Sequence, residues 1–128
     1  MLARTRQIAW ALVLAALSTL GACRTSPSAT ESLAESASVE RGRTLVSDNG
    51  CGACHAIGGV PHANGMIGPP LNGLGVRSYI AGVLPNTPEN LAAWVRSPQS
   101  FKPGSGMPNL SLSKSEAADV AAFLYTRY

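Results

Sequence analysis

Apolar and polar positions along the chain fall into three helical patterns, separated by long stretches with no pattern. The clearest lies at the end. Ala117, Val120, Ala121 and Leu124 recur at helical spacing, with Phe123 at the edge of the stripe. Ser113-Lys114-Ser115-Glu116 ahead of them is a capping box, and Leu112 staples the entry. A second helix starts at Thr87-Pro88, a cap followed by a proline suited to the first helical position. Leu91, Trp94 and Val95 share its buried face, and Pro98 ends it. The remaining pattern covers about Val39 to Asp48, with Val39, Gly42, Leu45 and Val46 on one side and Asn49-Gly50 as its stop. A glycine inside a helix costs about 1 kcal/mol relative to alanine, so Gly42 predicts a close helix contact. Between the first and second helices the chain reads as loop, with a short helix near Tyr79 to Val83. No segment alternates convincingly as a strand, and no internal repeat is visible. The expectation is a small all-α domain of three main helices and long loops.

The N-terminus has a different pattern. Arg4 and Arg6 precede an uncharged run from Ile8 to Leu20, too short to cross a bilayer comfortably and suited to a secretory signal. The run ends Leu20-Gly21-Ala22-Cys23, with a bulky residue where ordinary cleavage prefers a small one. Leu-Gly-Ala-Cys resembles a bacterial lipoprotein box. The resemblance implies that residues 1–22 are a signal peptide and that Cys23 becomes the first mature residue and carries lipid. The product would be an exported, membrane-anchored lipoprotein facing the periplasm or the outer face of the cytoplasmic membrane. The other reading is an ordinary signal with an incidental cysteine. From Arg24 to about Ser38 the chain is rich in Ser, Thr, Ala and Glu and has no apolar periodicity, so residues 23–38 read as a flexible tether. The folded domain is then residues 39–128.

Composition narrows the function. The chain of 128 residues is 45% hydrophobic and 13% charged, which excludes a disordered polyelectrolyte. Aromatic residues make up only 5%, little ring mass for a core of this size, so something else can fill the interior. Removing residues 1–22 takes away two arginines and no acid, leaving eight basic and seven acidic residues. That near-neutral balance, without a basic block, argues against a nucleic-acid partner.

With Cys23 lipidated, the remaining thiols sit in Cys51-Gly52-Ala53-Cys54-His55. A zinc site needs about four ligands, and His62 is the only other histidine. A thioredoxin-like dithiol needs a long helix after the motif, but Gly58, Gly59, Pro61, Gly65, Gly68, Pro69 and Pro70 follow. Covalent haem attachment fits better. Two thiols two residues apart can add to the two vinyl groups of one porphyrin, and the adjacent His55 supplies an axial nitrogen. A large flat hydrophobe also accounts for the scarcity of aromatic side chains. A dithiol or disulfide remains the competing reading.

A second axial ligand has three candidates: His62, Met66 and Met107. The first two lie in the Gly/Pro-rich stretch just beyond His55. Met107 is distant and sits in Lys102-Pro103-Gly104-Ser105-Gly106-Met107-Pro108, where Pro108 favours an extended residue before it and the glycines permit close backbone approach. This loop is suited to presenting one side chain, so Met107 is favoured, with His62 next. The competing readings are a gap-filling core Met107 and a solvated His62.

Taken together, Gly42, Cys51-Gly52-Ala53-Cys54-His55, Gly68-Pro69-Pro70-Leu71-Asn72-Gly73-Leu74, Arg77, Asn90-Leu91-Ala92-Ala93-Trp94, Pro98, Lys102-Pro103-Gly104 and Met107-Pro108 resemble a class I c-type cytochrome. They are similar to the cytochrome c domain at the C-terminal end of subunit II in some bacterial haem-copper oxidases. The resemblance implies one covalent haem c held by Cys51 and Cys54, with His55 and Met107 on the iron. It implies that the Pro69 carbonyl accepts the His55 ring N–H and that Leu71 packs on the porphyrin. Arg77 would approach a propionate or remain a solvated surface arginine. Trp94 would lie near Met107, with its N–H reaching sulfur or water, or serve as plain core packing. Gly42 against Phe123 would form the crossing of the first and last helices. The copper-binding portion and membrane helices of the oxidase subunit have no counterpart in these residues.

The implied function is one-electron carriage between redox proteins, such as a terminal oxidase or a membrane dehydrogenase, without a small-molecule substrate and without catalysis. Two other classes compete: a haem peroxidase or gas sensor from whose iron Met107 leaves, and a haem-free lipoprotein acting as a disulfide or interaction module.

Overall fold

The computed structural model describes residues 29–127. The signal segment, Cys23 and residues 24–28 lie outside the described residues. Helix α1 spans Ala29–Asp48 and is followed by a 3-10 turn, Cys51–Ala53. A second 3-10 turn, Leu74–Val76, precedes a two-stranded antiparallel hairpin of β1, Tyr79–Ile80, and β2, Leu84–Pro85. Helices α2, Pro88–Arg96, α3, Pro98–Phe101, and α4, Lys114–Tyr125, complete the chain.

Helix α4 follows its sequence signals. The Ser113 side chain accepts from the Glu116 backbone N–H while the Glu116 carboxylate accepts from the Ser113 N–H, both halves of the capping box. Thr87 caps α2 by accepting from the Asn90 N–H at 3.2 Å, and Pro88 opens it. Helix α4 packs against both α1 and α2. At the α1–α4 crossing, a Cβ on Gly42 would overlap the Asp119 carbonyl and lie 2.8 Å from the Phe123 Cβ. Only hydrogen fits there, which is why a glycine interrupts a helix. Arg41 adds a bidentate pair to the Asp119 carboxylate at 2.7 and 3.0 Å, and Ser38 donates to the same group.

Four local expectations need correction. Helix α1 starts ten residues before Val39, so residues 29–38, read as part of the tether, are helical. Their side chains from Thr30 to Ala37 are exposed. With no apolar stripe to signal it, this part extends a helix already nucleated by packing, through Ala, Glu and Leu, which favour helix, and without Gly or Pro. The short helix near Tyr79 to Val83 is instead the turn of the hairpin. Ala81 and Gly82 both take positive φ (50° and 75°), and the Val83 N–H closes on the Ile80 carbonyl at 3.0 Å. Pro98 ends α2 but also begins the extra turn α3. Phe123, placed at the edge of the last stripe, is fully buried, because the bare face of Gly42 lets α1 close over it. Burying a side chain of this size is worth about 1.5–3 kcal/mol.

Candidate functional site

The helices and the loops between them enclose one cavity of about 380 Å³, within the roughly 300–1,000 Å³ typical of ligand sites. Leu74, Ile80, Leu91, Val120 and Leu124 supply apolar wall from four different segments. Cys51, Cys54, His55, Pro69, Leu71, Arg77, Trp94 and Met107 all line it. Every haem-contacting residue expected from the sequence is therefore brought to one space.

The segment from Cys51 to Asn72 is folded back on itself by backbone hydrogen bonds. The His55 N–H donates to the Cys51 carbonyl, Gly65 N–H to Gly52, Gly68 N–H to Cys54 and Leu71 N–H to Ala56, at 2.7–3.0 Å. The Asn72 side chain accepts from the Gly58 N–H at 2.7 Å. His55 Nδ1 donates to the Pro69 carbonyl at 2.7 Å, leaving Nε2 as the nitrogen available to a metal. Gly68 lies flat against this ring: a Cβ there would sit 2.6 Å from His55 Nδ1 and 2.9 Å from Nε2. Glycine is needed here for proximity rather than for an unusual φ. In the sequence Gly68 belongs to the Gly68-Pro69-Pro70 motif with no sign of this role.

Arg77 is half-buried at the cavity edge, not a freely solvated side chain. Its Nη2 donates to the Pro70 carbonyl at 2.6 Å and the Asn72 carbonyl at 2.9 Å, clamping the turn that carries Pro69. The backbone around Arg77 is held in turn by Asn86, whose amide donates to the Leu74 and Arg77 carbonyls and accepts from the Tyr125 hydroxyl, all within 2.8 Å. Neither Asn86 nor Tyr125 carries a sequence signal for this role, because each sits in a polar or terminal context that reads as solvated. Trp94 is largely buried in α2, and its indole N–H meets no acceptor among the described residues.

Of the three candidates for a second ligand, Met107 alone lines the cavity. Met66 is 92% exposed on the outside of its loop. His62, at positive φ, borders a separate smaller hollow with Ser47 and Pro61. The Met107 loop is held differently from the His55 loop. Gln99 donates from Nε2 to the Ser105 and Met107 carbonyls, each at 2.7 Å, and accepts from the Gly104 N–H at 2.9 Å. The Met107 N–H donates to the Ser105 hydroxyl at 3.1 Å.

The chemistry of the lining fits a covalently attached porphyrin. Cys51 and Cys54 are not joined in a disulfide, so both sulfurs are available to a cofactor. Burial is the largest influence on Cys51 and pushes its thiol above the ordinary cysteine range, whereas a reactive dithiol depends on a depressed value. Among the described residues no group of three or more His, Cys, Asp or Glu side chains is placed to hold a metal ion. Arg77 is the only lining residue with a full charge, a single cation at the mouth of an apolar slot.

A helical shell closed around an apolar cavity, with Cys-X-X-Cys-His at its edge, defines a haem-binding electron-transfer domain. The cytochrome c family model matches residues 39–127, and the chain belongs to that family. Its cofactor is covalently bound haem c, which supplies a one-electron iron couple. The chain is 47% identical over 68 residues to cytochrome c oxidase subunit 2 of Alkalihalophilus pseudofirmus, covering 53% of this chain and 19% of that one. It is 35% identical over 95 residues to cytochrome c oxidase subunit 2 of Bacillus subtilis, covering 68% and 26%. A third protein of that name, from Bacillus sp. strain PS3, is 41% identical over 59 residues. The chain thus spans about a quarter or less of the length of these relatives. No solved structure gives a significant match.

Proposed function

We propose that this protein is a lipid-tethered one-electron carrier whose iron is bound by His55 and Met107 and which delivers electrons to a terminal oxidase. One observation carries the ligand set: the imidazole, both thiols and the Met107 thioether line a single cavity, whereas His62 and Met66 do not. His55 Nδ1 is held by Pro69, so Nε2 is the coordinating atom. Cys51 and Cys54 form the two thioethers. Leu71 and Trp94 exclude water from the porphyrin faces, and Arg77 steadies the turn below His55. With His55 and Met107 both holding the iron, no position would remain for a substrate, and the bound haem would supply one-electron transfer rather than bond chemistry. Methionine ligation and burial both raise the potential relative to two imidazoles.

The oxidase assignment rests on the relatives, all cytochrome c oxidase subunits 2. The tether rests on Leu20-Gly21-Ala22-Cys23. In this reading lipid on Cys23 supplies the membrane attachment; among the described residues no helix is long and apolar enough to cross a membrane. The ferric protein should show the weak near-infrared band of an iron–thioether bond, and the ferrous protein should resist carbon monoxide at rest. A missing band or ready uptake of the gas overturns the ligand set. Cys23→Ser should move the protein from the membrane to the soluble fraction. The membrane-bound form should reduce a detergent-solubilised terminal oxidase, and a failure to do so refutes that partner.

A further inference from the structure

The two loops of the site are built by different means, and the Met107 loop depends on one side chain. Gln99 follows Pro98, which is fully buried and anchors α3 in the core. Three of its hydrogen bonds come from the carboxamide: Nε2 donates to the Ser105 and Met107 carbonyls, and Oε1 accepts from the Gly104 N–H. Its own backbone N–H donates to the Asn109 side chain at 3.3 Å, beyond the methionine. Residue 99 thus holds the loop on both sides of Met107. Gly104 has φ of 78°, and neither it nor Gly106 has a neighbour within 4 Å of where a Cβ would stand, so apart from Met107, which packs against the core, these positions add no packing. Without the carboxamide, the Ser105 and Met107 carbonyls and the Gly104 N–H each lose their hydrogen-bond partner among the described residues.

We infer that Gln99 is a positioning residue that keeps the Met107 thioether on the iron, and so sets how easily an exogenous ligand can take its place. This rests on the reading of Met107 as the second axial ligand. Gln99 is half-buried and acts through backbone groups, without lining the cavity itself. The role calls for an amide: an acceptor for Gly104 and two donor hydrogens for the two carbonyls. Glutamate keeps the acceptor and loses both donors. Leucine keeps the approximate size and loses all three.

The test uses the full holoprotein and compares wild type, Gln99→Leu, Gln99→Glu and the exposed neighbour Ser100→Ala. Imidazole titration of the ferric form measures displacement of the thioether, and the near-infrared iron–sulfur band measures its occupancy. Far-ultraviolet dichroism checks that each variant is folded. Loss of the three hydrogen bonds loosens the loop only in part, so Gln99→Leu should bind imidazole about tenfold more tightly, equivalent to about 1.4 kcal/mol, with a weaker band. Gln99→Glu should fall between it and wild type, and Ser100→Ala should match wild type. If the wild type shows the band and both Gln99 variants match it in band and imidazole affinity, the positioning role is refuted while Met107 stands as ligand. If the wild type lacks the band, Met107 is not the ligand and the role of Gln99 falls with it. If Gln99→Leu does not fold, Gln99→Glu decides by the same readouts, because it is polar and close in shape.

Discussion

The loop carrying His55 and the loop carrying Met107 serve one cavity but are stabilised by different means. From Cys51 to Asn72 the chain is pinned by backbone hydrogen bonds and by glycines at 52, 65 and 68 that bring segments into direct contact. Ile57 and Val60 are buried and tie it into the main hydrophobic core. From Lys102 to Pro108 the chain is largely exposed and is held from outside by Gln99. A backbone-built loop tolerates side-chain change wherever close contact is not required. A loop held by one carboxamide is adjustable, and under the proposed ligand set Met107 is the ligand that can leave. In a protein of this family, the asymmetry puts rigidity on the imidazole side and tunability on the sulfur side.

The largest expected effect comes from changing the sulfur itself. Met107→His should lower the midpoint potential substantially, within the about 0.8 V that axial ligation spans in haem proteins. Met66→Leu should leave the potential almost unchanged, because Met66 is 92% exposed and off the cavity. Redox titration of the two variants checks this, and equal shifts would break the distinction between the methionines.

Next is the rigid side. Gly68→Ala should force the His55 ring away from Pro69, at a cost typical of overpacking, about 1–3 kcal/mol. Denaturant unfolding measures the cost, and a shift in potential reports the disturbed ligand. An alanine tolerated with neither change would mean that the loop is softer than its contacts suggest.

Arg77→Ala removes the clamp on the Pro70 and Asn72 carbonyls and should cost about 1 kcal/mol. The potential should move by less than in Gly68→Ala, because Pro69 itself remains. Arg77→Lys should recover only part of the loss, since one ammonium does not reproduce a planar fork.

The α1–α4 ion pair is the control for both loops. The hydrogen bond from Arg41 is the main cause holding the Asp119 carboxyl below its usual range, helped by Ser38 and opposed by burial. A depressed folded-state value means that this stabilisation is complete above the unfolded carboxyl value near 3.8 and is lost as pH falls through the folded one. Melting temperature should therefore drop somewhat below pH 4 in wild type, and drop less in Asp119→Asn, with no selective change at either loop. The smallest effect concerns docking. The near-neutral balance of residues 23–128 predicts a weak dependence of electron transfer on salt, and a steep fall in stopped-flow rates with ionic strength would contradict it.

Legibility followed the range of each interaction. Capping at Thr87 and Ser113 spans three residues and was readable, as were the Gly42 contact and the stripe of α4. Residues 29–38 differ from the tether expected for them because helix propensity without an apolar face resembles a linker. The hairpin at Tyr79–Pro85 has no sequence signature because two-residue strands have no alternation to read. Gln99, Asn86 and the packing role of Gly68 were invisible, because a polar side chain looks solvated until its partners, five to thirty-nine residues away, are brought to it.

By itself the sequence determined the covalent chemistry and its carriers: two thiols and an imidazole within five residues, a short menu of second ligands, and helices with their own start and stop signals. Those features are local, so neighbouring residues suffice to specify them. Only the tertiary structure decided which candidate reaches the cavity, that the Gly68 backbone seats the imidazole, and that one amide steadies the methionine loop. Each of these depends on distances between groups far apart in the chain, and close packing between folded segments is what sets such distances.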